Sequence, residues 1–142
     1  MHTIAAISAF LVQLCGSHAA VYAHYVVQFG ERYEVDPRIV ASMMLQESSC
    51  DPNATGALGE LGLMQIKRGT RATAGYDHLS DEKLREPRTN IMLGVRYLRR
   101  CLEKCAGSIA GALSLYKGIA RKGGVCRDSV YARDIMARIA ES

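Results

Sequence analysis

The sequence predicts a mainly α protein of one domain, and three observations predict it. The 142 residues suffice for a single hydrophobic core and fall short of two ordinary domains. Apolar residues recur at helical spacing along most of the chain, punctuated by helix start and stop signals. No segment shows the alternation of a half-buried strand. Hydrophobic residues make up 49% of the chain and charges are interspersed among them, which excludes a disordered polypeptide.

The elements follow in order. Residues 21–33 carry Tyr22, Val26 and Phe29 on one helical face. Asp36-Pro37 is an N-cap followed by proline at the first helical position, and Ile39, Val40, Met43 and Met44 lead from it to Glu47. Asp51-Pro52 is expected to stop that helix, because the residue before proline is biased away from helical angles. Residues 53–60, rich in Gly, Ala and Asn, read as a loop or short irregular hairpin. Thr70 is expected to cap a short helix running toward Gly75. Ser80 caps another, with Leu79 and Leu84 as a hydrophobic staple, and Pro87 ends it. Asn90 is expected to cap a long helix bearing Ile91, Val95, Leu98 and Leu102, which Gly107 terminates. Ser108 opens the next, with Ile109, Leu113 and Tyr116, ending at Gly118. After a loop around Arg121 to Gly124, residues 129–140 form a last helix with Val130, Ile135 and Ile139 inward.

The net charge of +4 favours acidic partners in general. Nucleic acid is not expected among them: no Lys/Arg block is interleaved with aromatics and Trp is absent. An anionic cell-wall glycan fits the charge as well. Residues 4–14 form an apolar run of leader length, far short of the ~20 residues of a membrane span. Ser17-His18-Ala19 supplies small residues where a signal peptidase reads. The expected division is therefore a leader over residues 1–19 and a domain over 20–142, with export from the cytoplasm. The alternative is a buried N-terminal helix, since the segment ahead of the apolar run has His2 but no Lys or Arg. Val12-Gln13-Leu14 lacks the small residue that precedes a lipidated cysteine.

Loss of Cys15 with a leader would leave Cys50, Cys101, Cys105 and Cys126, an even number that allows three pairings. Cys101 and Cys105 lie four apart on a helix, a poor geometry for a mutual bond. Each is expected to reach elsewhere, and a Cys105–Cys126 bond would staple the last loop. A zinc site is the rival reading, but the spacing is not that of a CxxC pair and the histidines are scattered, so no metal is expected.

The chemistry centres on Gln46-Glu47-Ser48, at the end of an apolar helix, and on Gly62-Leu63-Met64-Gln65-Ile66. Burial disfavours a charged carboxyl, so a desolvated glutamate stays protonated toward neutral pH and can protonate a leaving group. The competing reading of Glu47 is a solvated charge at a helix end. Most hydrolytic glycosidases also need a second carboxylate, for which Asp51 and Glu60 are the candidates.

In order along the chain, Glu47-Ser48, Gly62-Leu63-Met64-Gln65-Ile66, Asn90 with Gly94 and Tyr97-Leu98, and Ala112-Leu113-Ser114-Leu115-Tyr116 resemble the motifs of the soluble lytic transglycosylase family, within the lysozyme-like superfamily. The resemblance implies a helical lysozyme-like domain of the goose-type/SLT kind with a cleft. Its implied activity is non-hydrolytic cleavage of the β-1,4 bond between N-acetylmuramic acid and N-acetylglucosamine in peptidoglycan, giving 1,6-anhydro ends without a cofactor. Glu47 would be the catalytic residue, first acid and then base. Gln65, Tyr116, Met64 and Ser48 would line the substrate site, with Ser48 also fixing the end of the helix. Asn90, Gly94 and Leu98 would be architectural. Two departures stand out. The family has Tyr-Asn where this chain has Tyr116-Lys117-Gly118, and a serine of some members is replaced near Thr55-Gly56. The family analogy further implies a periplasmic or virion-associated monomer serving a secretion, conjugation, pilus or phage assembly. The alternatives are a hydrolytic muramidase using Asp51 or Glu60, and a wall-binding assembly factor of low activity.

Overall fold

A computed structural model describes residues 2–141, and among them the regular structure is helical apart from isolated antiparallel bridges. Helix α1 (Ile4–Cys15) is followed by a 3₁₀ turn (Ser17–Tyr22), then α2 (Ala23–Tyr33), α3 (Pro37–Ser48), α4 (Arg68–Thr73), α5 (Asp81–Arg85), α6 (Pro87–Lys104), α7 (Ile109–Lys117) and α8 (Val130–Ala140). Helix α3 lies centrally, packed on α1, α2 and α8. Helix α6 crosses α2 and α7.

Several boundaries are written by side chains. Asp36 accepts the Arg38 N–H at 2.9 Å. Ser80, Ser108 and Ser129 accept from the third residue beyond each of them, at 3.1 Å in every case. Three expectations shift. Helix α3 ends at Ser48, before Asp51-Pro52, because Ser49 and Cys50 turn left-handed and their N–H groups close on Leu45 and Met44. Helix α4 begins at Arg68, so Thr70 lies inside it. Helix α6 begins at Pro87, one helical turn ahead of Asn90. Proline there opens the helix, since its missing N–H is an orphan donor in any case.

Asn90 is an anchor. Its fully buried amide accepts the Met64 N–H at 2.8 Å and donates to the Leu61 and Leu84 carbonyls at 2.8 and 2.9 Å. It thereby ties the loop over residues 54–66 to α6. The same loop comes very near α6 at Gly94, where a Cβ would lie 2.7 Å from that of Met64. Gly62 (φ 76°) passes so close to Asn90 that a Cβ would meet its Nδ2 at 2.4 Å.

Residues 1–19 were expected as a leader or a buried helix. In the structure α1 contributes Ile7, Phe10 and Leu11 to the core, against α2 and α3. Cys15 is bonded to Cys50, and Cys105 to Cys126 as expected. Cys101 does not reach a partner: with Cys50 taken by Cys15, it stays a free thiol in the core.

Candidate active site

Glu47 sits in the last turn of α3, on a helix whose Val40, Ala41, Met43 and Met44 are buried. Its side chain is only 7% exposed. The carboxyl pKa is raised, first because burial removes water from the charged form, with a further push from the charge of Glu60. Three groups oppose that rise. The Tyr131 hydroxyl donates to Oε2 at 2.6 Å, Lys117 Nζ lies 3.9 Å from Oε1, and the charge of Lys67 acts from farther off. Burial prevails and shifts the balance toward the acid form, while the carboxylate has donors in place once it forms.

Tyr131 and Lys117 were not among the sequence candidates. Tyr131 comes from the first turn of α8, is 8% exposed, and its hydroxyl is held far above the ordinary range by burial and by the neighbouring carboxylate. It therefore stays a donor across the accessible pH range. The signal was present: Tyr131, Ile135 and Ile139 follow at i, i+4 and i+8, a better helical stripe than one through Val130, which is exposed. Lys117, half-exposed, also reaches over the Tyr131 ring at 5.4 Å. Lys67 is pinned by the Tyr116 and Lys117 carbonyls at 3.1 and 2.7 Å, which fixes the end of α7 beside the acid.

The four expected substrate contacts are tied into the loop over residues 54–66 and the ends of α3 and α7. The buried Tyr116 hydroxyl donates to the Met64 carbonyl at 2.7 Å, and its ring meets Tyr97 at 5.3 Å. Met64 is fully buried and packs on Gly94, where the chain crosses α6 closely. Gln65 adopts φ 50° and donates to the Gly62 and Ala54 carbonyls at 3.1 and 3.3 Å, bracing the loop from within. The Ser48 hydroxyl lies 2.9 Å from the Leu63 carbonyl and 3.1 Å from that of Met44, so it joins the helix end to the same loop. Of the two candidate second carboxylates, Asp51 accepts the Asn53 N–H in a local turn. Glu60 accepts the Leu58 N–H and is the one whose charge reaches Glu47.

The sequence profile of the family described as transglycosylase SLT domain matches residues 24–138. The chain belongs to that family. This SLT domain is 35% identical over 83 residues to membrane-bound lytic murein transglycosylase F 1 of Alkalilimnicola ehrlichii, covering 58% of the chain and 16% of the relative. It is 36% identical over 87 residues to the transglycosylase of Enterobacteria phage PRD1, covering 61% and 31%. It is 35% identical over 88 residues to endo-type membrane-bound lytic murein transglycosylase A of Citrobacter koseri, covering 58% and 42%. The chain thus spans less than half the length of each. The SLT domain also superposes on the 70-kDa soluble lytic transglycosylase in complex with bulgecin A, with a TM-score of 0.64 at 20% identity over 89% of this chain and 20% of that one. For an inactive mutant of Slt from Pseudomonas aeruginosa the TM-score is 0.61 at 24% identity, over 68% and 16%. These likenesses establish the lysozyme-like fold. Helix α1 and the whole 3₁₀ turn lie ahead of the matched residues, yet help to build the core.

Proposed function

We propose that this chain is a peptidoglycan lytic transglycosylase that cuts the β-1,4 bond between N-acetylmuramic acid and N-acetylglucosamine without water. The observation that carries the reading is a buried Glu47 in an SLT domain, its pKa raised by that burial, with the Tyr131 hydroxyl as its hydrogen-bond donor. Because Oε2 accepts from Tyr131, Oε1 carries the proton. That proton passes to the glycosidic oxygen as the bond to the anomeric carbon breaks. The muramoyl N-acetyl oxygen stabilises the cationic anomeric centre from within the substrate. Glu47, now a carboxylate held by Tyr131 and Lys117, takes the proton of the C6 hydroxyl, and that oxygen closes the 1,6-anhydro ring. The acid is restored and water is not consumed. One group serving as acid and then base works best with a pKa near the working pH, and burial moves the Glu47 carboxyl upward in that direction.

A hydrolytic muramidase is the second reading, favoured by the field of Glu60 on Glu47. Purified peptidoglycan digested with the protein and with Glu47→Gln separates the two by mass spectrometry of the products. Anhydro ends that vanish in the variant support the transglycosylase, and reducing ends support hydrolysis. Binding without cleavage refutes both and leaves a wall-binding factor.

The chain acts outside the cytoplasm on this reading, for which the two disulfides speak, since such bonds persist in oxidising compartments. Service to a phage particle or an envelope-spanning apparatus belongs to the same proposal, and the PRD1 relative supports the former. Sequencing the N-terminus of the exported chain separates a leader cleaved after Ala19 from a stapled α1.

A further inference from the structure

The turn that closes α3 takes an unfavourable shape and is tied to a distant part of the chain. Ser49 (φ 53°) and Cys50 (φ 58°) are consecutive non-glycine residues in the left-handed region, which L side chains adopt only where the surroundings impose it. From α3 itself, the Leu45 carbonyl accepts the Ser49 N–H at 3.0 Å and the Met44 carbonyl accepts the Cys50 N–H at 3.1 Å. Residues 15–18 supply two further ties. Cys15 is bonded to Cys50, and exposed His18 donates from Nε2 to the Cys50 carbonyl at 3.3 Å. Glu47 depends on this turn. It stands two residues ahead of Ser49, and Ser48 between them joins the helix end to the loop over residues 54–66. Helix α1, at the far side of the disulfide, is seated by Ile7, Phe10 and Leu11 against α2 and α3. The other disulfide, Cys105–Cys126, fastens the end of α6 to the loop ahead of α8 and does not join α3.

The two sulfurs of the first bond are unequally reachable: Cys50 is fully buried, whereas Cys15 is only partly so. A dithiol therefore attacks at Cys15. Its thiolate forms a mixed disulfide with that sulfur, the bond to Cys50 breaks, and Cys50 leaves as a thiolate that takes up a proton. The second thiol of the reagent then displaces Cys15 by closing its own disulfide. The protein gains two electrons and two protons, and the dithiol loses them. We propose that the Cys15–Cys50 bond is a redox latch on the acid. Closed, it holds the left-handed turn and seats Glu47; opened by a dithiol, it lets the turn relax and the acid leave its place. The domain stays folded, because α1 keeps its apolar seat. Disulfides persist in oxidising compartments and thiols in the cytoplasm, so the latch keeps the chain idle until export. The effect on catalysis rests on the proposed glycan cleavage; the motion of the turn does not.

The test treats the full chain with dithiothreitol at neutral pH without denaturant, and alkylation with mass mapping follows each cysteine. Cys15 and Cys50 are expected to become labelled. In the reduced chain, amide exchange at residues 49 and 50 quickens about tenfold or more while that along α6 is unchanged. Digestion of sacculi falls about tenfold and returns on reoxidation, as expected for a displaced catalytic group. Cys105→Ser/Cys126→Ser keeps this response, and Cys15→Ser is slow from the outset and insensitive to the dithiol. The proposal is overturned if Cys15 and Cys50 react only on unfolding, or if exchange at residues 49 and 50 or digestion by an active chain is unchanged on reduction. Exchange that rises in every helix together overturns it as well, since the bond then staples the whole fold. So does a response lost in Cys105→Ser/Cys126→Ser, or an exported chain that begins after Ala19 and lacks Cys15. If the oxidised chain cleaves no peptidoglycan, the enzymatic reading fails, and labelling and exchange decide the latch alone.

Discussion

Replacing Tyr131 by phenylalanine removes one hydroxyl and keeps the ring that fills the base of α8. The lost interaction is a 2.6 Å hydrogen bond to a carboxyl whose side chain is 7% exposed. Hydrogen bonds to charged groups are worth about 1.5–3 kcal/mol, and little water is present to substitute. The loss falls on the carboxylate far more than on the acid, so the Glu47 pKa rises further. Activity that requires the protonated acid declines as pH rises through that pKa. The alkaline limb of the kcat/KM profile therefore moves to higher pH in Tyr131→Phe, by about one pH unit for every 1.4 kcal/mol lost. At the optimum, kcat falls at least tenfold, because the carboxylate that receives the C6 proton has lost its donor. The assay is release of soluble muropeptides from labelled sacculi between pH 4 and 9, with circular dichroism to confirm the fold. A profile superimposable on that of the parent protein would refute the assignment of Tyr131 as the residue that balances the acid.

Three more outcomes are expected. Lys117→Gln moves the same limb in the same direction by less, since this cation is half-exposed at 3.9 Å, and the difference from the parent shrinks in high salt. Glu47→Gln stabilises the protein more at pH 8 than at pH 4. A carboxyl whose pKa is raised by folding binds more protons in the native state than in the unfolded chain, so the parent loses stability as pH rises past the ordinary carboxyl range, and the amide does not; calorimetric melting of both proteins at the two pH values checks the sign. Asn90→Ala leaves the Met64 N–H and the Leu61 and Leu84 carbonyls without their buried partner, a cost of about 2–4 kcal/mol readable in denaturant melts, and activity falls with it.

The helices and the acid were legible in the sequence because local chemistry specifies them. Asp36-Pro37 and the serine caps act within three residues, and the apolar stripe before Glu47 marks the face it shares. What was not legible depends on contacts between distant segments. Asn90 reads as a cap because asparagine favours caps, yet it closes bonds to a loop 26 residues away. Gln65, Tyr116 and Met64 carry family motifs, but nothing local shows that the Gln65 amide nitrogen, the Tyr116 hydroxyl and the Met64 side chain also hold the loop. Tyr131 was hidden by a phase error of one residue at the start of α8. The pairing of Cys15 with Cys50 required knowing that α1 packs against α3.

Cys101 gives the molecule a built-in clock. Four of the five cysteines are locked in disulfides, and the remaining thiol lies 1% exposed on the buried face of α6. A thiol reagent cannot reach it while α6 is seated against its neighbours, so in the native buffer each labelling event records one excursion of that helix. When reclosing is faster than reaction, the labelling rate measures how often the open form is populated; in excess reagent it measures the opening step itself. A single mass increment followed over time would thus time the breathing of the helix that carries the loop anchor, with no engineered probe.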